Sequence, residues 1–329
     1  MRIRKMMLAL ALSFAAGHAA AQTAVQNAVQ NYPNKPLRLV VPFAAGGPVD
    51  TISRPFAEKL SEQLGQPVVI DYIPGAGTLI GSDNIAKSAP DGYSLLVLTV
   101  DILILQSSHP KLPFDVFRDF APVGVTSRGT IALVVDPKLP IRNIPEFVAY
   151  AKANPGKLSF GSTGVGGSLH LGAEMLKIQA NIDMTHVPYK GVAPALADIM
   201  GGHLSWIFSS MAGALPLARS GKVRAIAVAS LNRNPLLPDV PTIAESGYPG
   251  FEVAVINGII VPAKTPRPII NHLSQAMIKL LATQDIKERF AKSGVDAASN
   301  TPEEFATMIR NEVDKWGKVV KAINFVQKD

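Results

Sequence analysis

The side chains that could do chemistry in this chain fall in a few short stretches. Gly166-Gly167-Ser168-Leu169-His170 puts a serine where a nucleophile elbow would, with His170 in place of the last glycine. His170 follows two residues on along the same expected helix, badly placed to take the proton of Ser168, so an exported hydrolase is a distant alternative. His109, His170, His186, His203 and His272 show no H-x-x-x-H or related ligand spacing, and no metal is expected. Cysteine is absent, which excludes disulfides, thiolate metal sites and lipoprotein anchoring. No Gly-Lys-Ser/Thr follows the loop, so a P-loop is excluded as well. Gly75-Ala76-Gly77 with Gly81 imitates a dinucleotide fingerprint, but the last glycine stands one place late. A tight turn with close helix packing accounts for it, and no cofactor is expected.

What remains is anion binding. Val40-Val41-Pro42-Phe43-Ala44-Ala45-Gly46-Gly47-Pro48-Val49-Asp50 reads as a strand, a small-residue turn and a helix start. A helix N-terminus leaves N–H groups unpaired and carries partial positive charge, which suits a carboxylate. A tight turn that binds nothing is the plain alternative. A second such loop, Gly161-Ser162-Thr163-Gly164-Val165-Gly166-Gly167-Ser168, adds hydroxyls that suit carboxylate oxygens. Two such loops in separate halves of the chain suggest a ligand held between two domains.

The elements needed to position these loops are visible in outline. Leu37 to Val41, Pro67 to Asp71 and Ser94 to Thr99 are strands, and Ile52, Phe56, Leu60 and Leu64 make the apolar face of the first helix. Pro48 opens that helix, so Pro55 inside it predicts a kink. A second helix covers Leu79 to Ser88, and the β-α-β-α-β order implies a parallel sheet. Strands at Val123 to Thr126 and Ile131 to Val135 follow, separated by Ser127-Arg128-Gly129. Asn143 with Glu146 resembles a capping box for a helix ending at Asn154-Pro155-Gly156. Leu158 to Phe160 leads into the second loop, and a helix spans Leu169 to Gln179. Then come Met184 to Val187, a turn at Pro188 to Gly191 whose Lys190 could neutralise a ligand charge but as a lone turn lysine reads as solvated, a helix from Ala193 to Met200, and Leu204 to Phe208 ending at Ser209-Ser210. Val223 to Ala229 is a strand with Arg224 at an exposed end, and Thr242 with Glu245 caps a short helix. Phe251 to Val261 crosses back to the first domain. The rest is helical, with a capping box at Thr301 to Glu304 and a core-facing stripe of Phe305, Met308, Ile309, Val313, Trp316, Val320 and Ile323.

Length and charge narrow the class. Met1 to Ala21 has a basic start, an apolar run and an Ala19-Ala20-Ala21 cleavage site, the form of a signal peptide, with a loose leader to residue 31. Without Arg2, Arg4 and Lys5 the 32 basic residues fall to 29 against 25 acidic, a net charge of +4. That excess is scattered and not interleaved with aromatics, so nucleic acid is not an expected partner. At 329 residues, 47% of them hydrophobic, the chain is long enough for two α/β domains.

The order and spacing of Val40 to Gly47 with Asp50, Pro74-Gly75-Ala76-Gly77, Ala89-Pro90-Asp91-Gly92-Tyr93, His170-Leu171, His186 to Gly191, Leu237 to Thr242 and Trp316 resemble the Bug family over nearly the whole mature chain. These are the periplasmic substrate-binding components of tripartite tricarboxylate transporters. The resemblance implies a two-lobed type II periplasmic-binding fold, each lobe a mainly parallel α/β sheet, with the ligand cleft between. One lobe would comprise 32–126 with 254–329 and the other 127–253, with crossovers near Val123 to Thr126 and Glu252 to Ile256. It implies a monomer that carries a small organic carboxylate to membrane permease subunits and performs no catalysis. A sensor that signals to a membrane kinase is the alternative. The binding positions it implies are Phe43, Ala44, Gly46, Gly47 and Asp50 in the first loop, and Thr99 after the third strand. Ser162, Thr163, Gly166, Gly167 and Ser168 follow in the second loop, with Ser209. Asp71 to Ile73, Asp101 to Gln106, Ser209-Ser210 and Ile256-Asn257 depart from the usual pattern, so the ligand itself does not transfer.

Overall fold

The computed structural model describes residues 31–327; the expected signal peptide and all of the leader but its last residue lie outside them. In chain order the elements are β1 (Leu37–Val41), α1 (Pro48–Leu64), β2 (Val68–Tyr72), α2 (Leu79–Ala86), β3 (Ser94–Thr99), α3 (Val100–Ser108), α4 (Val116–Asp119) and β4 (Phe120–Val135). The second stretch holds α5 (Ile144–Ala153), β5 (Ser159–Ser162), α6 (Ser168–Ala180), β6 (Thr185–Pro188), α7 (Val192–Gly201), β7 (Trp206–Ser210), α8 (Met211–Arg219) and β8 (Arg224–Val228). The last holds β9 (Ala254–Pro262), α9 (Arg267–Leu281), α10 (Gln284–Lys292), β10 (Asp296–Ala297) and α11 (Pro302–Ala322).

Two lobes hang on one strand. β2-β1-β3 and β6-β5-β7 are parallel trios, the products of strand-helix-strand crossovers. β4 joins them: Phe120 to Thr130 pairs with β9, and Ile131 to Val135 pairs with β7 and β8. All these pairings, and that of β3 with β9, are antiparallel, so each parallel trio is bordered by strands running the other way. The two short strands expected at Val123 and Ile131 are therefore one. Ser127-Arg128-Gly129 stays extended because Asn257, Ile256 and Val255 of β9 pair with it.

Strand alternation sorts side chains into three cores. Leu37, Leu39 and Val41 face Ile52, Phe56 and Leu60 of α1, with α9 and α10 beside them. Val40, Leu96 and Leu98 face the other way, into a core that continues past Trp316 and Phe305 to Phe160, Trp206, Leu133 and Val135 of the second lobe. Ala132 and Val134, one residue out of step on β4, face a third core with Leu196, Ile199 and Ile207. The middle core belongs to both lobes, and α11 packs on α3, β4 and α6 to hold it.

Local signals explain most element ends. Gly65 takes a left-handed conformation (φ 69°) and its N–H bonds Ser61 O to stop α1. The Thr301 to Glu304 capping box forms in full. α1 runs on through Pro55, which lacks the N–H that the Thr51 carbonyl would take. Two further expectations fail, and one helix had none. Thr242 and Glu245 exchange both capping-box bonds, yet only turns follow, because Gly247 and Gly250 with Pro249 interrupt any helix. Arg224 is not a solvated strand end: its guanidinium donates to the carbonyls of Pro137, Leu139 and Ile141 at 2.9–3.0 Å. α3 had no forecast at all. Ile102, Leu103, Ile104 and Leu105 are all buried in one continuous run, so the apolar residues of this helix show no amphipathic period.

Candidate functional site

The first loop, Pro42 to Gly47, is braced from behind by Asp50. This carboxylate is 1% exposed; Oδ2 accepts from Gly46 N at 2.6 Å and Arg54 Nε at 2.9 Å, and Oδ1 accepts from the Tyr72 hydroxyl at 2.6 Å. Burial pushes its pKa up, but the Tyr72, Gly46 and Arg54 donors outweigh that and hold it below the usual carboxylate range. Asp71, beside Tyr72, is itself held by Arg38 at 2.6 Å. Of these departures from the expected family pattern, Tyr72 supports the loop from the rear through Asp50.

The second loop rests on a histidine pair. Ser162 Oγ lies 2.6 Å from His186 Nε2 and donates to Gly164 O at 3.0 Å; Gly166 N donates to His170 Nδ1 at 3.2 Å. The two imidazoles lie 4.1 Å apart between centroids, tilted by 33°, and Phe160 stacks on His186 at 4.8 Å. Burial lowers both pKa values to about 4, helped by Lys177 at His170 and by His170 at His186, so both rings are neutral at pH 7. Ser162 and His186 stand at nucleophile–base distance, but the serine is fully buried and its hydroxyl is turned onto its own loop. Ser168 and His170 are not paired: the Ser168 N–H donates to Asp101 Oδ1 at 3.0 Å, while His170 faces Gly166.

Between the loops lies a cleft of about 780 Å³. Phe43, Pro48, Val49, Gly77, Thr78, Asp101, Ile104 and Leu105 line it from the first lobe; Thr163 to Gly167, Lys190 to Pro194, Leu196, Ser210 and Gly213 line it from the second. Gln327, on the C-terminal tail, completes the wall, and its N–H bonds Ser108 O at 2.8 Å. The beginnings of α1, α6, α7 and α8 all reach this cleft, and their N-caps Gly47, Gly167, Gly191 and Ser210 supply no side-chain cap. Among the described residues the N–H groups of their first turns have no side-chain acceptor, apart from the one that Asp101 takes on α6; Pro48, first in α1, has none to give. Thr78 adds a further mark: it is 2% exposed, has a left-handed backbone (φ 86°), and its Oγ1 has no hydrogen-bond partner among the described residues.

Of the positions expected from sequence, Phe43, Thr163, Gly166 and Gly167 line the cleft. Ala44 and Gly46 are exposed beside it, and Gly47 and Ser168 stand just behind the wall at the caps of α1 and α6. Asp50, Thr99, Ser162 and Ser209 are buried. Ser209 is one residue from the wall: strand alternation sends its side chain inward and presents Ser210. Asn257, also a departure from the pattern, bonds Ser127 Oγ at 2.9 Å within the interlobe pairing. Sequence reasoning missed Thr78, Gln327 and the start of α7. For α7 a signal existed, since Gly191 is followed by Val192-Ala193-Pro194, a glycine at the cap with a proline inside the first turn. Lys190 is exposed as expected, but it also lines the cleft.

Among the described residues no group of three His, Cys, Asp or Glu is placed to hold a metal ion, and no helix is long and apolar enough to cross a membrane.

Residues 52–325 match the family described as tripartite tricarboxylate transporter family receptor. The chain is 38% identical to a protein encoded in the tcbD-tcbE intergenic region of Pseudomonas sp. strain P51, covering 88% of this chain and 86% of that one. It is 35% identical to protein BugT of Bordetella pertussis, covering 88% and 90%. Among solved structures it is similar to one described as a periplasmic transporter, at 38% identity and a TM-score of 0.78 over 90% of this chain and all of the other. It is also similar to Rhodopseudomonas palustris Rpa4515 with adipate (31%, TM-score 0.78, covering 90% and 99%) and to MatC of the same organism with bound malate (31%, 0.74, covering 88% and 100%).

Proposed function

The chain belongs to the receptor family of tripartite tricarboxylate transporters, and from that premise we propose that it is a periplasmic solute receptor. It takes a small organic carboxylate into the cleft between its lobes and delivers it to a membrane permease. The observation that carries this reading is the convergence of four helix N-termini on one cleft, none capped by its own N-cap side chain and only that of α6 met by another side chain, Asp101. Fixed backbone donors aimed at one volume suit an anion, and they suit it without a paired arginine. The adipate and malate seen with Rpa4515 and MatC support the same ligand class here.

Residues 32–126 with 254–329 form one lobe in this reading and 127–253 the other, hinged where β4 and β9 run together. Ligand binding draws the lobes onto the carboxylate, and the closed form is what a permease would recognise. Export follows from cleavage after Ala21, so the intact mass of the periplasmic protein should match a chain that begins at Gln22. The family is one of receptors, and no turnover is expected: Ser168→Ala should change affinity alone, with no ester or amide hydrolysis to lose.

The test compares an acid with its methyl ester by calorimetry, using the best ligand from a thermal-shift panel of organic acids. A charged hydrogen bond contributes about 1.5–3 kcal/mol, so loss of two should weaken binding by about a hundredfold or more. Acid and ester binding within about threefold of one another would replace the anion cradle with a mainly apolar cleft.

A further inference from the structure

Asp101 is an acid where the cleft otherwise favours anions. An acid in the first turn of a helix is an ordinary partner for that helix's own dipole. Asp101 does something more. Its Oδ1 accepts the Ser168 N–H at 3.0 Å at the start of α6. It thus occupies the anion position that the second loop would otherwise offer a ligand. Asp101 itself lines the cleft, and no lysine or arginine is among the groups that act on it. Burial pushes its pKa up, as befits a carboxylate without a cation. Among the described residues that line the cleft, the only other charged one is Lys190, which belongs to the second lobe. Asp101, Ile104 and Leu105 share one face of α3, at helical spacing of three and four, so the acid borders an apolar strip. Lys190 in turn borders Val192, Pro194 and Leu196.

We propose that the ligand is an amino carboxylate with an apolar spacer. Its ammonium group meets Asp101, and its carboxylate meets Lys190 and the uncapped start of α7. This rests on the carboxylate reading above and adds the second charge. A simple dicarboxylate would instead bring a like charge against Asp101, which loses affinity.

The experiment measures matched pairs in which one carboxylate is replaced by an ammonium: succinate with β-alanine, glutarate with 4-aminobutyrate, adipate with 5-aminopentanoate. Calorimetry at neutral pH should give the amino member of the best-fitting pair about tenfold tighter binding or more. Asp101→Asn keeps the shape and an acceptor for the Ser168 N–H, and it should erase or reverse that preference. Lys190→Gln, at an exposed position, should weaken both members of the pair alike. A diacid that binds as tightly as its amino partner, or a preference unchanged in Asp101→Asn, overturns the proposal and leaves carboxylate binding standing. A panel in which no member binds wild type overturns both.

Discussion

Two aspartates in the same lobe do opposite work, and their partners decide which. Asp50 is saturated by three donors and holds a loop; Asp101 has only Ser168 and faces the cleft. Asp50→Ala would strand the Gly46 N–H and the Tyr72 hydroxyl, and a loss of about 2–3 kcal/mol in urea unfolding is expected, with weaker ligand binding. An unchanged midpoint would mean that the loop holds itself. The histidine pair makes a pH prediction. His170 and His186 titrate near 4 when folded, against 6.5 when unfolded, so the unfolded chain binds protons first as pH falls. Their contribution is complete above pH 6.5 and is lost as pH falls through about 4. The melting temperature should drop by roughly 5 °C or more across that window, and His186→Gln should flatten the slope. The sequence exposed residue types but not their partners. Asp50 was legible as part of a motif and Ser209 as part of a departure, yet burial turned both away from the cleft.

At the level of elements, the strands and the two glycine-rich loops were readable because β-branched runs and glycines carry local signals. What escaped depended on contacts distant in sequence. The apolar residues of α3 form one unbroken run and so have no period, and the Ser127 to Gly129 link became strand only through β9. The C-terminal tail escaped for the same reason: nothing within Asn324 to Gln327 announces that Phe325 and Gln327 pack against Gly166 of the second loop. A Cβ at Gly166 would fall 2.3 Å from Gln327 Oε1 and 2.7 Å from Phe325 Cζ, at a φ of +82°. Gly166→Ala should therefore lose about 1–2 kcal/mol to backbone strain and displace the tail from the cleft wall. A chain shortened to end at Asn324 avoids the strain and should show the same fall in ligand affinity, about tenfold by calorimetry. Full affinity in the shortened chain would make the tail a bystander.

For the whole molecule the decisive feature is that the middle core runs through both lobes. The lobes should melt together, with one calorimetric transition whose van't Hoff and calorimetric enthalpies agree; two resolved transitions would show that the lobes are thermally independent. Ligand should also reduce the radius of gyration in solution scattering as the cleft closes. The joint sets how that closure proceeds. In the lobe division proposed above, the chain passes between lobes at Ser127 to Thr130 and at Ala254 to Asn257, and these stretches are hydrogen-bonded to each other as an antiparallel ladder. Such a ribbon resists stretching and shear, because either would break its rungs, and it yields most easily by twisting about its own length. It is a torsion bar more than a door hinge. The lobes then turn past one another as they meet the ligand, and a pair of fluorophores placed to report orientation will see more of that motion than a pair placed to report distance.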